Sequence, residues 1–204
     1  MITTILAALL AAIHLALQSV VPAVNPADVF QRPLSSWAPH CLGFGSQWQY
    51  CNGVALRACP SGAVWLHTGV DIVARVGEPV MAAGDGTLVG YSIDPQFRGG
   101  VLIRHRTTFG LVITQYWHVW LGAGFDVGSS VRRGQVFATI ADMGTRTHFH
   151  FAVFKGDLEA HAWNGALPPS PCSGFPAFPY RFVDPTAFIE AHLAPVHFAR
   201  GIRL

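Results

Sequence analysis

Between Val64 and Val153 apolar residues alternate with polar ones or gather in short unbroken runs, and no helical period is visible. Val101-Leu102-Ile103-Arg104-His105 and Leu111-Val112-Ile113-Thr114-Gln115-Tyr116 flank a short Thr107–Gly110 loop, which predicts a β-hairpin. Glu78 to Ala83 leads into a turn at Gly84-Asp85-Gly86, and Thr87 to Tyr91 leads out of it. Val131 to Phe137 reads as a turn feeding a strand that ends at Ile140. In His148-Phe149-His150-Phe151-Ala152-Val153 the two imidazoles fall on one side of a strand. Phe149, Phe151 and Val153 fall on the other, so one face is wet and its reverse is core. The same alternation places Tyr116, His118 and Trp120 on a common side.

The flanks differ from this block. Residues 1–24 are apolar and end in small residues near Val21-Pro22-Ala23, although no Lys or Arg precedes them. This resembles a cleaved secretion signal, with an uncleaved membrane anchor as the rival; His14, Gln18 and Pro22 weaken a full span. Residues 25–62 are rich in Pro, Trp and Cys. Residues 155–183 are irregular and proline-rich, reading as an ordered loop pinned by Cys172. Asp184-Pro185-Thr186 opens a short helix, with Asp as N-cap, Pro in the first turn, and a stripe of Phe188, Ile189 and Leu193. The expected organisation is a leader (1–24), a Cys-containing segment (25–62), a β core (63–154) and a C-terminal loop with a short helix (155–204).

Composition narrows the function. Only 12% of residues are charged and the formal net charge is +2, so nothing demands a nucleic-acid partner. Four cysteines behind a secretion signal imply two disulfides among Cys41, Cys51, Cys59 and Cys172, in any of three pairings. Their wide spacings do not fit a cysteine-ligated metal knuckle.

The chemistry-bearing residues are histidines and one carboxylate. His67 and Asp71 stand at i, i+4 around Gly69 and among β-branched neighbours, so they are read on a strand or strand-turn, where both point to one side. His67, Asp71 and His150 are candidate ligands of one zinc ion, with His118 and His148 facing its open position. Zinc accepts imidazole nitrogen and carboxylate oxygen, and a catalytic site keeps a fourth position free. Any one of the 10 histidines is more often an ordinary hydrogen-bonded group than a ligand. The case rests on the set. Tyr91, Trp117 and Trp120 are candidates to line a groove, with core packing the weightier reading for each.

These residues stand in a long run that resembles the lysostaphin/LytM-type zinc metallopeptidases. The run includes His67-Thr-Gly-Val-Asp71, Val76-Gly-Glu-Pro-Val80, Gln115-Tyr-Trp-His118, Val131-Arg-Arg-Gly-Gln135, His148-Phe-His150 and Asp184-Pro185. The resemblance implies an antiparallel, mainly β fold, sandwich-like and with an open groove for an extended peptide. It implies His67, Asp71 and His150 as ligands, and His118 and His148 as assisting groups. One departure stands out: Ala152 sits where the family usually carries Glu.

The implied function is a zinc-dependent endopeptidase, secreted, periplasmic or in the cell envelope, that hydrolyses cross-bridge or stem peptides of bacterial peptidoglycan. The expected state is a monomer with one zinc per chain, meeting a membrane only if the leader is retained. No glutamate general base of the His-Glu-x-x-His kind is present, so one of His118 and His148 is expected to move the proton while the other stabilises the oxyanion. A non-catalytic wall-binding or amidase-activating relative is the alternative, and a peptidase of ordinary proteins is a third reading.

Overall fold

The computed structural model describes residues 25–47, 66–157 and 181–194. The leader, the proline-rich loop and three of the four cysteines lie outside them. Among the described residues no helix is long and apolar enough to cross a membrane.

The fold is mainly antiparallel β. Its strands are β1 (Gly69–Ile72), β2 (Pro79–Met81), β3 (Gly86–Asp94), β4 (Arg98–Thr107), β5 (Gly110–Leu121), β6 (Ser130–Val131), β7 (Val136–Ile140), β8 (Phe149–Lys155) and β9 (Phe182–Val183). One helix follows, α1 (Pro185–Ala191). The main path runs β1-β8-β5-β4-β3-β6; β7 joins β5 to β2, and β9 adds to β8. The expected hairpin is β4–β5, closed where Thr107 pairs Gly110. The turn at Gly84–Gly86 does not make a hairpin, because β2 pairs β7 while β3 pairs β4 and β6.

Strands β4, β5 and β8 are apolar on both faces because both faces are covered. On one face Tyr116, Phe149, Phe151 and Val153 pack with Val70 and Ile72 of β1, with Phe30 and Leu34 from the N-terminal segment, and with Phe188 and Ile189 of α1. The opposite face is wet only near the histidines; further along, Leu102, Ile113, Trp117, Ala152, Phe154 and Phe182 form a second apolar cluster. The expectation of one wet face is corrected to that extent, since β9 and its Phe182 cover the rest.

Helix α1 starts as expected: the Asp184 carboxylate accepts from the backbone N–H groups of Thr186 and Ala187. Leu193 departs from the expected stripe. It lies beyond the helix end, in a parallel bridge with Phe30, and is exposed.

Candidate metal centre

Three strands and two loops meet at the centre. Asp71 and His150 are paired residues on β1 and β8, and Trp117 of β5 pairs His150 from its other side. Register alone therefore puts the carboxylate beside one imidazole. His67, just before β1, reaches the same point: its Nε2 is 3.2 Å from Asp71 Oδ1. His150 Nδ1 is 3.3 Å from the same oxygen and 2.8 Å from His67 Nε2. The three donor atoms lie within 4.8 Å of one another, and all three side chains are buried. Among the described residues this is the one cluster of its kind.

The arrangement fits a small tetrahedral cation. With metal–nitrogen and metal–oxygen bonds of about 2.0–2.2 Å, neighbouring donors sit about 3.3 Å apart. Two of the observed separations match, and the third is shorter, as two imidazole nitrogens sharing one proton would draw it. His150 presents Nδ1 to the cluster, while its Nε2 is buried without a hydrogen-bond partner. Burial works to raise the Asp71 carboxyl, but hydrogen bonds from His148, His150 and His67 outweigh it and hold the group well below the usual carboxylate range. Burial also pushes His150 down to about 4, so it stays neutral, as a ligand must be.

The neighbouring imidazoles are oriented by backbone carbonyls. His67 Nδ1 lies 3.2 Å from Gly43 O, His118 Nδ1 2.9 Å from Phe97 O, and His148 Nδ1 2.6 Å from Arg146 O. Each Nδ1–H is placed to donate to its carbonyl, which turns the Nε2 of His67 and of His148 toward Asp71 Oδ1. His148 Nε2 is 3.5 Å from Asp71 Oδ1. The His118 and His148 rings meet edge to face with centroids 4.4 Å apart. Burial lowers His118 to about 3, with the charge of His148 adding to the effect. Burial also works to lower His148, but its hydrogen bond and charge interaction with Asp71 prevail and raise it.

One strand expectation is overturned here. Tyr116 and His118 do not share a side. The β4–β5 register shifts between Gly99 and Gly100, leaving His118 as the extra residue of a β-bulge, with φ of 66°. Tyr116 points into the core, while the His118 ring turns to the side of His148 and His150. Of the groove candidates, Trp117 is buried in the second cluster, Tyr91 is half-buried against the core, and Trp120 is exposed.

The contribution of residues 38–47 was not legible in the sequence. This segment runs antiparallel along the outer edge of β1, bridging Pro39 to Ile72 and Gln47 to Leu66. It supplies the Gly43 carbonyl that orients His67. It also brings His40, whose ring lies parallel to His148. Cys41 Sγ comes within 3.9 Å of Asp71 Oδ2.

Residues 66–162 match Peptidase family M23. The chain is 38% identical to peptidoglycan DD-endopeptidase ShyC of Vibrio cholerae serotype O1 over 53% of its own length and 24% of that protein's. It is 31% identical to DD-carboxypeptidase/endopeptidase Mpg of Neisseria meningitidis serogroup B, over 50% of this chain and 23% of the relative. The chain thus spans about a quarter of the length of these curated relatives. Among solved structures, cbpa from L. salivarius REN superposes with a TM-score of 0.54 at 16% identity, covering 81% of this chain and 97% of that one. That likeness is one of fold.

Proposed function

We propose that the peptidase family M23 domain carried by residues 66–162 makes this chain a zinc-dependent endopeptidase of bacterial peptidoglycan peptides. The observation that carries the reading is the convergence of His67, Asp71 and His150 within 4.8 Å, with His118 and His148 beside them. In this reading His67 Nε2, Asp71 Oδ1 and His150 Nδ1 hold the ion. When bound, zinc supplies Lewis acidity toward a water and the scissile carbonyl.

The remaining chemistry belongs to the chain. His148 moves the proton: its Nε2 faces Asp71 Oδ1, which favours the protonated ring, so the ring takes up a proton at Nε2 and later returns it. His118 orients the attacking water as an acceptor, because it stays neutral and its one N–H is committed to Phe97 O. That departs from the expected oxyanion role, which requires a donor. Burial of His118, with His148 half-buried beside it, limits the access of bulk water to these contacts.

Secretion to the cell envelope after removal of residues 1–24, a catalytic core over 63–154, two disulfides and a monomeric state belong to the same reading. The experiment is mass spectrometry of purified peptidoglycan after incubation with zinc-loaded protein, with casein in parallel. New fragments bearing free amino groups from the wall, absent without zinc, are expected. Zinc bound without any release would make the chain a wall-binding relative, and preferential cleavage of casein would remove peptidoglycan as substrate.

A further inference from the structure

His40 lies outside the stretch that matches family M23, yet its side chain is at the centre. Its backbone N–H donates to Asp71 O at 2.8 Å, and the Asp71 N–H donates to Leu42 O at 2.8 Å. The main chain around residue 40 is thereby fixed to the strand that carries a candidate ligand. From there the His40 ring stacks on His148, with centroids 5.1 Å apart and planes 4° from parallel.

His148 needs such a partner. It precedes β8 and so has no ladder bond of its own, and it follows a one-turn 3-10 segment, Gly144–Arg146. Its Nδ1 contact to Arg146 O and its Nε2 contact to Asp71 Oδ1 at 3.5 Å hold the two nitrogens, which leaves the tilt of the ring about the line between them. His118 meets it edge-on, with planes 63° apart. A flat ring parallel to it restrains the tilt that these contacts leave open.

We propose that His40 is a positioning residue that sets the plane of the His148 imidazole and so aims its Nε2 at the reacting groups. This rests on the peptidase reading of the centre. An offset aromatic stack is worth enough to change the population of the aligned ring by about three- to tenfold.

The test uses the full zinc-loaded chain with His40→Ala, His40→Leu and His40→Phe. Measured are kcat and KM on solubilised peptidoglycan fragments, zinc per chain, and the ε1 proton resonance of the His148 ring by NMR. In His40→Ala and His40→Leu, kcat falls about three- to tenfold, KM and zinc stay unchanged, and the His148 resonance moves. His40→Phe, which keeps a flat ring, restores kcat. Wild-type kcat in His40→Ala overturns the proposal, as does equal loss of kcat or zinc in all three variants. If the wild-type chain releases no fragments, the peptidase reading fails by itself. The resonance still decides the contact: unmoved in His40→Ala, it refutes the stack, and moved there, it upholds it.

Discussion

Asp71 and His150 face each other across the β1–β8 ladder, so the candidate metal centre is a property of strand register. A shift by one residue would send either side chain to the core face. Replacing His150 with Ala removes one of three donors while leaving the ladder in place. Zinc affinity is expected to fall by more than about 100-fold, because even indirect support of a ligand costs 10–100-fold. Competition with a chromogenic chelator measures this; unchanged affinity would remove His150 from the ligand set.

Gly69 allows the ladder to close. A Cβ there would lie 2.3 Å from Phe151 O and 2.8 Å from His150 Nε2, both within the partner strand. Gly69→Ala must therefore push β1 and β8 apart at the centre. The expected cost is about 2 kcal/mol or more in urea unfolding, with weakened zinc binding. Gly43→Ala is the control, since nothing lies within 4 Å of the added methyl.

His118 sits at φ 66°, a backbone region that β-branched residues avoid. His118→Gly is expected to be more stable than His118→Val by about 1–3 kcal/mol in urea unfolding. Both should keep zinc and lose turnover. Equal stability of the two would mean that the bulge relaxes once the imidazole is gone.

Strand identity, the β4–β5 hairpin and the start of α1 were legible because they follow local alternation and turn chemistry, and a distinctive order of residue types pointed to the five side chains that meet at the candidate centre. The side on which His118 lies was not, because one bulge on β5 reverses the alternation that the pattern assumes. His40 and Gly43 were hidden for a different reason. Residues 38–47 carry no strand period, and their pairing to β1 depends on backbone bonds that any residue makes. Strand β9 is two residues long and only adds to β8, so it left no pattern to read.

The last test concerns His105, which lies away from the centre. Its Nδ1 is 2.9 Å from Asp85 O and its Nε2 is 2.7 Å from Thr114 Oγ1, which in turn is 3.0 Å from the Tyr116 hydroxyl. Burial pushes this histidine down to about 4 from the ordinary 6.5, so the folded chain holds it neutral. Below pH 6.5 the unfolded chain takes up a proton here that the folded chain refuses until about pH 4. Stability from His105 is thus complete above pH 6.5 and is lost as pH falls toward 4, by on the order of 3 kcal/mol. His118, His148 and His150 also shift on folding, so the comparison is with His105→Gln, both proteins stripped of zinc. Between pH 6.5 and 5 the stability of the variant should fall less steeply than that of the parent, by about 1.4 kcal/mol per pH unit. Parallel curves would show that His105 is protonated in the folded chain, and its bond to Thr114 would then have to be formed with the ring as donor.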